Sequence, residues 1–174
     1  MTVQTRGNTG ISIAEMNTMK LKQFRNLFAS LSIPDPAFLT GVYRAAFVGP
    51  AWLRSSAGPA LALSGLGGWW GKEFTADKTA INIVVRSGAL SHNQELGLFH
   101  KLFPMELVTA RSFIDGENGL SLHYLPGNPF PWMYVVDELR SLDQDSLLGM
   151  TIANLPGLRG LAFPFILRKN ERLG

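Results

Sequence analysis

The chain has 174 residues and a formal net charge of +3, and charged residues make up 17% of it, against roughly 25% in an ordinary soluble domain. It contains no cysteine, which excludes disulfides, thiolate metal sites and cysteine nucleophiles. The length predicts a single domain with a sizeable apolar core.

The excess positive charge lies at the two ends of the chain. Basic residues dominate residues 1–25 and the tail from Arg168, whereas residues 26–167 hold more acidic than basic side chains. Nucleic-acid binding needs a basic face with interleaved aromatic side chains, so no nucleic-acid partner is expected. Residues 1–17 lack the apolar centre of an export signal. Together with the missing cysteines, this predicts a cytoplasmic protein.

The N-terminal region predicts an arm followed by one helix. Residues 1–17 show no apolar periodicity, so they are predicted to be a flexible arm. Residues 18–32 are predicted to form an amphipathic helix, because apolar residues recur on one helical face: Leu21, Phe24, Leu27, Phe28 and Leu31. The basic residues lie off that face, so residues 18–31 either pack on the domain or make a peripheral membrane contact.

The body, residues 33–174, is predicted to be mainly β, an antiparallel barrel with an N-terminal helix and short helical turns. Residues 50–63 predict two helical turns, broken at Gly58-Pro59. Turn signals separate a series of short strands, which is the pattern of an antiparallel barrel or a strongly curved sheet. The predicted strands cover 38–48, 80–86, 102–113, 120–125, 133–142, 147–153 and 161–168, with a Gly-Trp-Trp-Gly element at 68–71.

Several familiar sites are excluded by spacing. The glycine-rich run at 65–71 has leucine and glutamate where a phosphate-binding loop needs glycine and Ser or Thr. His92, His100 and His123 are scattered, without the spacing of metal ligands; His123 is the best haem-ligand candidate among them, but an ordinary surface histidine is the simpler interpretation. No metal and no cofactor is therefore expected.

Asp137 is the polar residue that stands out. On a strand it shares one face with Met133, Val135 and Leu139, and an acid on an apolar face is costly unless it is paired. Three interpretations remain open: a structural pair with an arginine, a ligand contact, or a catalytic base. The candidate arginine partners are Arg44, Arg86, Arg111 and Arg140.

Residues 36–44 and then 68–74 (Gly-Trp-Trp-Gly-Lys-Glu-Phe) resemble the bacterial GXWXG domain family. The second half, including 137–140 and 164–168, is similar to the domain of unknown function that follows GXWXG in that family. The resemblance divides the body into a GXWXG-like part, 34–90, and a C-terminal part, 91–170. At the motif itself, tyrosine replaces the tryptophan at Tyr43 and alanine replaces the final glycine at Ala45. The resemblance implies a lipocalin-like (calycin) barrel with a lipid or other apolar ligand, and no established reaction.

The aromatic content favours a ligand cavity. The aromatic residues exceed what a tight barrel interior packs, and a cavity is where such folds hold ligands. The predicted ligand-binding residues are Tyr43, Phe47, Trp69, Trp70, Trp132, Asp137 and Arg140. Adjacent Trp69 and Trp70 should point to opposite faces, one into the barrel and one beneath residues 50–63. Binding of a hydrophobic small molecule is thus the leading function. The alternative is a cofactor-free isomerase, cyclase or lyase in the same cavity, using Asp137, Tyr134 or Glu106 as acid–base groups.

Overall fold

Eight strands form a closed antiparallel barrel in a computed structural model of the chain, which describes residues 10–85 and 99–171. Each strand pairs with its neighbours in sequence, and β1 also pairs with β8 to close the barrel. The predicted antiparallel, lipocalin-like barrel is therefore confirmed. The strands are β1 (Gly41–Phe47), β2 (Trp69–Phe74), β3 (Thr79–Val85), β4 (Phe99–Arg111), β5 (Asn118–Tyr124), β6 (Val135–Ser141), β7 (Ser146–Ala153) and β8 (Ala162–Lys169).

Two predicted strands begin later than their sequence patterns indicated. A 3₁₀ turn, Pro36–Phe38, precedes β1, and a second, Trp132–Tyr134, precedes β6. In both cases proline fixes the backbone at the start of the turn. Met133 consequently lies in a turn and does not share the face of Asp137.

A β-bulge in β2 decides which side chains enter the barrel. The pairing of β2 with β3 shifts register between Trp69 and Gly71. In a regular strand residues three apart point to opposite faces, but the bulge lets both Trp69 and Lys72 point inward. A Cβ on Gly71 would overlap the carbonyl oxygen of Tyr43 on β1. Glycine is therefore required where the two backbones approach.

The barrel interior is filled by alternate residues of the strands. Its largest apolar core combines aromatic and aliphatic side chains from every strand and from Leu39, Leu66 and Trp132 outside them. Members with almost no solvent exposure include Met105, Leu120, Leu122, Leu139 and Leu167. At one end of the barrel, where β1 leads into the helix Ala51–Leu63, this packed part borders open space.

Two N-terminal helices cover the outside of the barrel. They are α1 (Ile13–Met16) and α2 (Leu21–Ser30). Phe24 and Phe28 of α2 are fully buried in a second core against the outer faces of β7 and β8, so the predicted amphipathic helix packs on the domain. Its barrel partners include Leu148, Met150, Ile152 and Ile166.

The prediction of a flexible arm over residues 1–17 is wrong where the structure describes that segment. Ser12 caps α1, and its side chain and Glu15 form a reciprocal capping box. Met16 is 2% exposed and belongs to the same core as α2. A single buried methionine gives no periodic pattern, which is why the sequence did not reveal the contact. Residues 1–9 lie outside the described part of the chain.

The prediction of two broken turns over residues 50–63 is also wrong. One helix, α3 (Ala51–Leu63), runs through Gly58 and Pro59. Proline cannot donate a backbone hydrogen bond inside a helix, and α3 continues past this loss with Leu53 as its one buried residue, at the end of the barrel. The local break is therefore tolerated within one helix. None of the helices described is long and apolar enough to cross a membrane.

Candidate functional site

A cavity of about 390 Å³ lies between α3 and the end of the barrel. Its walls are apolar, and they are contributed by α3, by β1, β2 and β8, and by the 3₁₀ turn before β6. The helix residues are Trp52, Leu53, Ser56, Ala57, Ala60 and Leu61, and the aromatic wall is made by Phe47, Trp69, Trp132, Phe163 and Phe165. Trp52 is 59% exposed, so the lining extends from the barrel interior to the surface.

A buried ion pair forms the polar floor of this cavity. Lys72 Nζ lies 2.9 Å from Asp137 Oδ2, and both side chains are almost completely shielded from solvent. Lys72 comes from β2, after the bulge, and Asp137 comes from β6 on the other side of the barrel. Isolated charges at this depth would be prohibitively costly, so each group requires the other.

Further hydrogen bonds hold both partners of the pair. Lys72 Nζ donates to Asn82 Oδ1 at 2.8 Å and to the Tyr124 hydroxyl at 3.3 Å. Thr151 Oγ1 donates to Asp137 Oδ1 at 2.6 Å. The Trp69 indole N–H donates to Asn82 Oδ1 at 3.0 Å, which links the cavity wall to the floor. The network is formally neutral and every member has a partner.

Burial and charge shift the pKa values of Lys72 and Tyr124 in opposite directions. Burial lowers the pKa of the Lys72 ammonium below its usual range, while the Asp137 carboxylate opposes that shift. Burial also raises the pKa of the Tyr124 hydroxyl, and the negative charge of Asp137 raises it further. A neutral amine is therefore easier to reach at Lys72 than at a surface lysine, and Tyr124 keeps its proton.

The predicted partner of Asp137 was wrong. Among the described residues no arginine reaches its carboxylate, whereas Lys72 does. Arg44 stacks on Trp70 outside the barrel, and Arg111 Nε donates to the Gly116 carbonyl. Arg140 pairs with Asp115 at 3.0 Å. Arg86 lies outside the described residues.

The two adjacent tryptophans point to opposite faces of β2, as alternation predicts. Trp69 points inward and packs against Phe47 and Phe165. Trp70 points outward, where it meets Phe99 and Arg44. The prediction that the second indole packs beneath residues 50–63 is wrong, because α3 covers the cavity on the inward side of β2.

The structure brings four of the predicted ligand-binding residues together at the cavity: Phe47, Trp69, Trp132 and Asp137. Tyr43 is buried nearer the opposite barrel end, beside a second depression lined by both polar and apolar residues. Trp70 and Arg140 lie outside the barrel wall, since neighbouring strand residues alternate in direction. Their assignment to the cavity was therefore wrong.

Two of the three predicted acid–base groups do not reach the cavity. Glu106 is exposed on β4 and faces His123 across the strand pair. Tyr134 is 41% exposed at the end of the second 3₁₀ turn. Only Asp137 lies at the cavity floor, with Lys72 and Tyr124 as the titrating groups beside it.

Sequence reasoning missed Lys72, Asn82, Tyr124 and Thr151. Asn82 carried a usable signal, because it alternates with Ala80 and Val84 on an otherwise apolar face, as Asp137 does on β6. Lys72 carried a misleading signal. In a regular strand it would point to the face opposite Trp69, and therefore into solvent. The bulge that turns it inward involves Gly71, which has no side chain to show in a pattern.

The histidines do not form a metal site in the part of the chain that the structure describes. His123 contacts the Ser121 hydroxyl at 3.1 Å, and burial lowers its pKa while Glu106 opposes the shift. No group of three His, Asp or Glu side chains among residues 10–85 and 99–171 could hold a metal ion. His92 falls outside these ranges.

Comparison with known proteins supports the fold. No protein-family model matches the chain, and no curated protein matches it. The barrel is similar to the crystal structure of a protein from Thermomonospora curvata, with 17% sequence identity and a TM-score of 0.62. The match covers 91% of this chain and 93% of that chain. At this identity the likeness concerns the fold alone, so the GXWXG resemblance stays a prediction.

Proposed function

We propose that the protein binds and carries an apolar or amphiphilic small molecule in the cavity beneath α3. The observation that supports this most is the composition of the cavity wall, in which aromatic and aliphatic side chains surround about 390 Å³ of space. Small-molecule sites are typically concave and apolar with a few placed polar groups. The lipid-like ligand that the GXWXG resemblance implies is compatible with this wall, and the cysteine-free sequence suits a cytoplasmic carrier.

The charge of the floor favours an uncharged polar head on the ligand. Lys72 and Asp137 neutralise each other, and Asn82, Tyr124 and Thr151 satisfy them. A carboxylate placed there would add a buried negative charge beside Asp137 without a new cation. A hydroxyl or carbonyl would need only hydrogen bonds. We therefore propose long-chain alcohols, sterols or terpenoids ahead of fatty acids.

Tryptophan emission tests the proposal, because Trp69 and Trp132 line the cavity. Delipidated protein titrated with dodecanol should show a saturable change in emission, and dodecanoate should bind more weakly. Ala57→Phe, which projects a ring from α3 into the cavity, should weaken dodecanol binding by roughly tenfold or more, or about 1.4 kcal/mol.

Ala51→Phe is the matched control, since Ala51 is exposed on the same helix and does not line the cavity. It should bind dodecanol as the unmodified protein does. Equal affinity of the Ala57→Phe and Ala51→Phe variants would place the ligand elsewhere. No emission change with alcohols, sterols, terpenoids or fatty acids would rule out the binding proposal.

A second candidate is a cofactor-free isomerase, cyclase or lyase in the same cavity. The observation that favours it is the contact of Lys72 Nζ with Asp137 and the Tyr124 hydroxyl at the cavity floor. A lysine with a lowered pKa beside a carboxylate is suited to proton transfer. Recovery of a bound molecule unchanged after prolonged incubation supports the carrier. Conversion of that molecule, lost in Tyr124→Phe, supports the enzyme.

A further inference from the structure

The cavity end of the barrel exposes an unusual set of large apolar side chains. They come from α3 and from the connection between β5 and β6, and we call them the apolar rim: Trp52, Leu63, Leu125, Phe130, Met133 and Tyr134. Leu63 is 92% exposed, Phe130 71% and Trp52 59%. Single exposed apolar residues are ordinary, but a grouped set marks an interaction surface.

Contacts in the structure hold the two halves of the rim together. The Trp132 indole N–H donates to the Ser64 carbonyl at 2.6 Å, which joins the connection to the end of α3. The rings of Phe130 and Tyr134 lie 6.3 Å apart. Trp52 and Leu63 are eleven positions apart, so they project from the same face of α3. Trp52 also lines the cavity, so the rim borders its mouth.

Charge is sparse around the rim. Across residues 48–68 and 125–134, Arg54 is the single charged side chain. The hairpin loops at the opposite end carry more charge, with Asp77, Lys78, Asp115, Glu117, Asp143 and Asp145. Docking by the rim therefore removes few charges from water.

We propose that the apolar rim docks on the surface of a phospholipid bilayer. Trp and Tyr are suited to the boundary between headgroups and acyl chains, where one part of the ring is apolar and the other is wet. Leu63 and Phe130 enter the acyl boundary, and no carboxylate within the rim must be desolvated. Because burial of apolar side chains drives the contact, it responds weakly to salt.

This surface differs from the membrane contact that the sequence indicated for residues 18–31. Phe24 and Phe28 are fully buried against the barrel, so the apolar stripe of α2 is already occupied. A contact through α2 would have to rely on Lys20 and Lys22, which are exposed. Such a contact would need anionic lipid and would weaken steeply with salt.

Docking by the rim places the cavity mouth against the bilayer. A molecule of low water solubility then passes between the membrane and the cavity along Trp52 without crossing bulk water. This consequence rests on the proposed carrier function, whereas the docking itself does not.

Cosedimentation with sucrose-loaded vesicles tests the docking. The protein should bind phosphatidylcholine vesicles, and neither added phosphatidylglycerol nor a rise from 0.05 to 0.5 M salt should change its partitioning by more than about twofold. The double variant Leu63→Glu/Phe130→Glu should partition roughly 100-fold more weakly. Phe38→Glu, an exposed apolar position at the opposite end, should bind like the unmodified protein.

Three results would overturn the proposal. The first is that the protein binds neither vesicle type. This result includes the case in which the rim drives concentration-dependent self-association of the protein. The second is equal binding by the double variant. The third is binding only to anionic vesicles, abolished by salt or by Lys20→Glu/Lys22→Glu. Leu63 and Phe130 do not line the cavity, so the double variant should still bind dodecanol in the absence of vesicles. If neither the unmodified protein nor the variants bind dodecanol, that result counts against the carrier function alone.

Discussion

Replacing Lys72 with methionine should lower the free energy of unfolding by about 3–5 kcal/mol, because it leaves the buried Asp137 carboxylate without its cation. The pair is joined at 2.9 Å with both side chains 3% exposed or less. Asn82, Tyr124 and Thr151 cannot replace a positive charge. Since a domain of this kind is stabilised by about 5–15 kcal/mol in total, the loss should be evident as a large shift of the urea midpoint followed by circular dichroism.

The double variant Lys72→Met/Asp137→Leu tests whether the two buried charges depend on each other. Removing both charges leaves the uncharged polar groups of Asn82, Tyr124 and Thr151 at the floor, and replacement of buried pairs by apolar side chains is often neutral or stabilising. The double variant should therefore be much more stable than Lys72→Met. If its destabilisation equals the sum of those of Lys72→Met and Asp137→Leu, the two charges do not depend on each other and the description of the floor is wrong.

Replacing Phe28 with alanine should cost about 3–5 kcal/mol as well, since a buried aromatic side chain is lost and a cavity is left. Phe28 is fully buried between α2 and the outer faces of β7 and β8. The Arg140 guanidinium also lies 4.4 Å from the centre of its ring, so the substitution removes a cation–π contact in addition to apolar area. Urea denaturation again provides the measurement.

Asn26→Ala is the matched control on the same helix, because Asn26 is exposed. Its unfolding midpoint should stay within the small range expected of a surface substitution. A Phe28→Ala midpoint equal to that of Asn26→Ala would show that α2 is not part of the cooperative core and would restore the interpretation of residues 18–31 as a free amphipathic helix.

The barrel was predictable because strands and turns carry local signals. Runs of alternating apolar residues bounded by Gly, Pro, Asn and Asp indicated most of the strands, and the number and spacing of strands indicated an antiparallel barrel or a strongly curved sheet. The stripe of Phe24 and Phe28 indicated α2. These features depend on residues close in sequence, so a single sequence is enough to predict them.

The site was only partly predictable because its pairings are made across the barrel. An unpaired-looking acid at Asp137 was correctly identified as requiring a partner, but β2 and β6 are far apart in sequence and the bulge reverses the direction of Lys72. Arg140, one of the arginines named as partner, points to the opposite face of β6 from Asp137, as alternation requires. Lysine is expected in solvent, so the sequence did not indicate Lys72 as the partner.

α3 shows a second reason why prediction failed. Gly58 and Pro59 are strong helix breakers by local propensity, and the helix nevertheless continues through them. α3 lines the cavity at the end of the barrel, and the strand residues that complete this cavity are not part of its own sequence. The cavity, which α3 covers, was therefore expected from aromatic content alone, without its mouth or its polar floor.

The decisive experiment is to purify the protein without organic solvent or detergent, then to extract it and identify the released molecules by mass spectrometry. We expect an apolar, uncharged molecule in stoichiometric amount from the unmodified protein and from Ala51→Phe, and none from Ala57→Phe. Extracts that are identical for the three proteins, with no such molecule enriched, would contradict the claim that this cavity is a binding site.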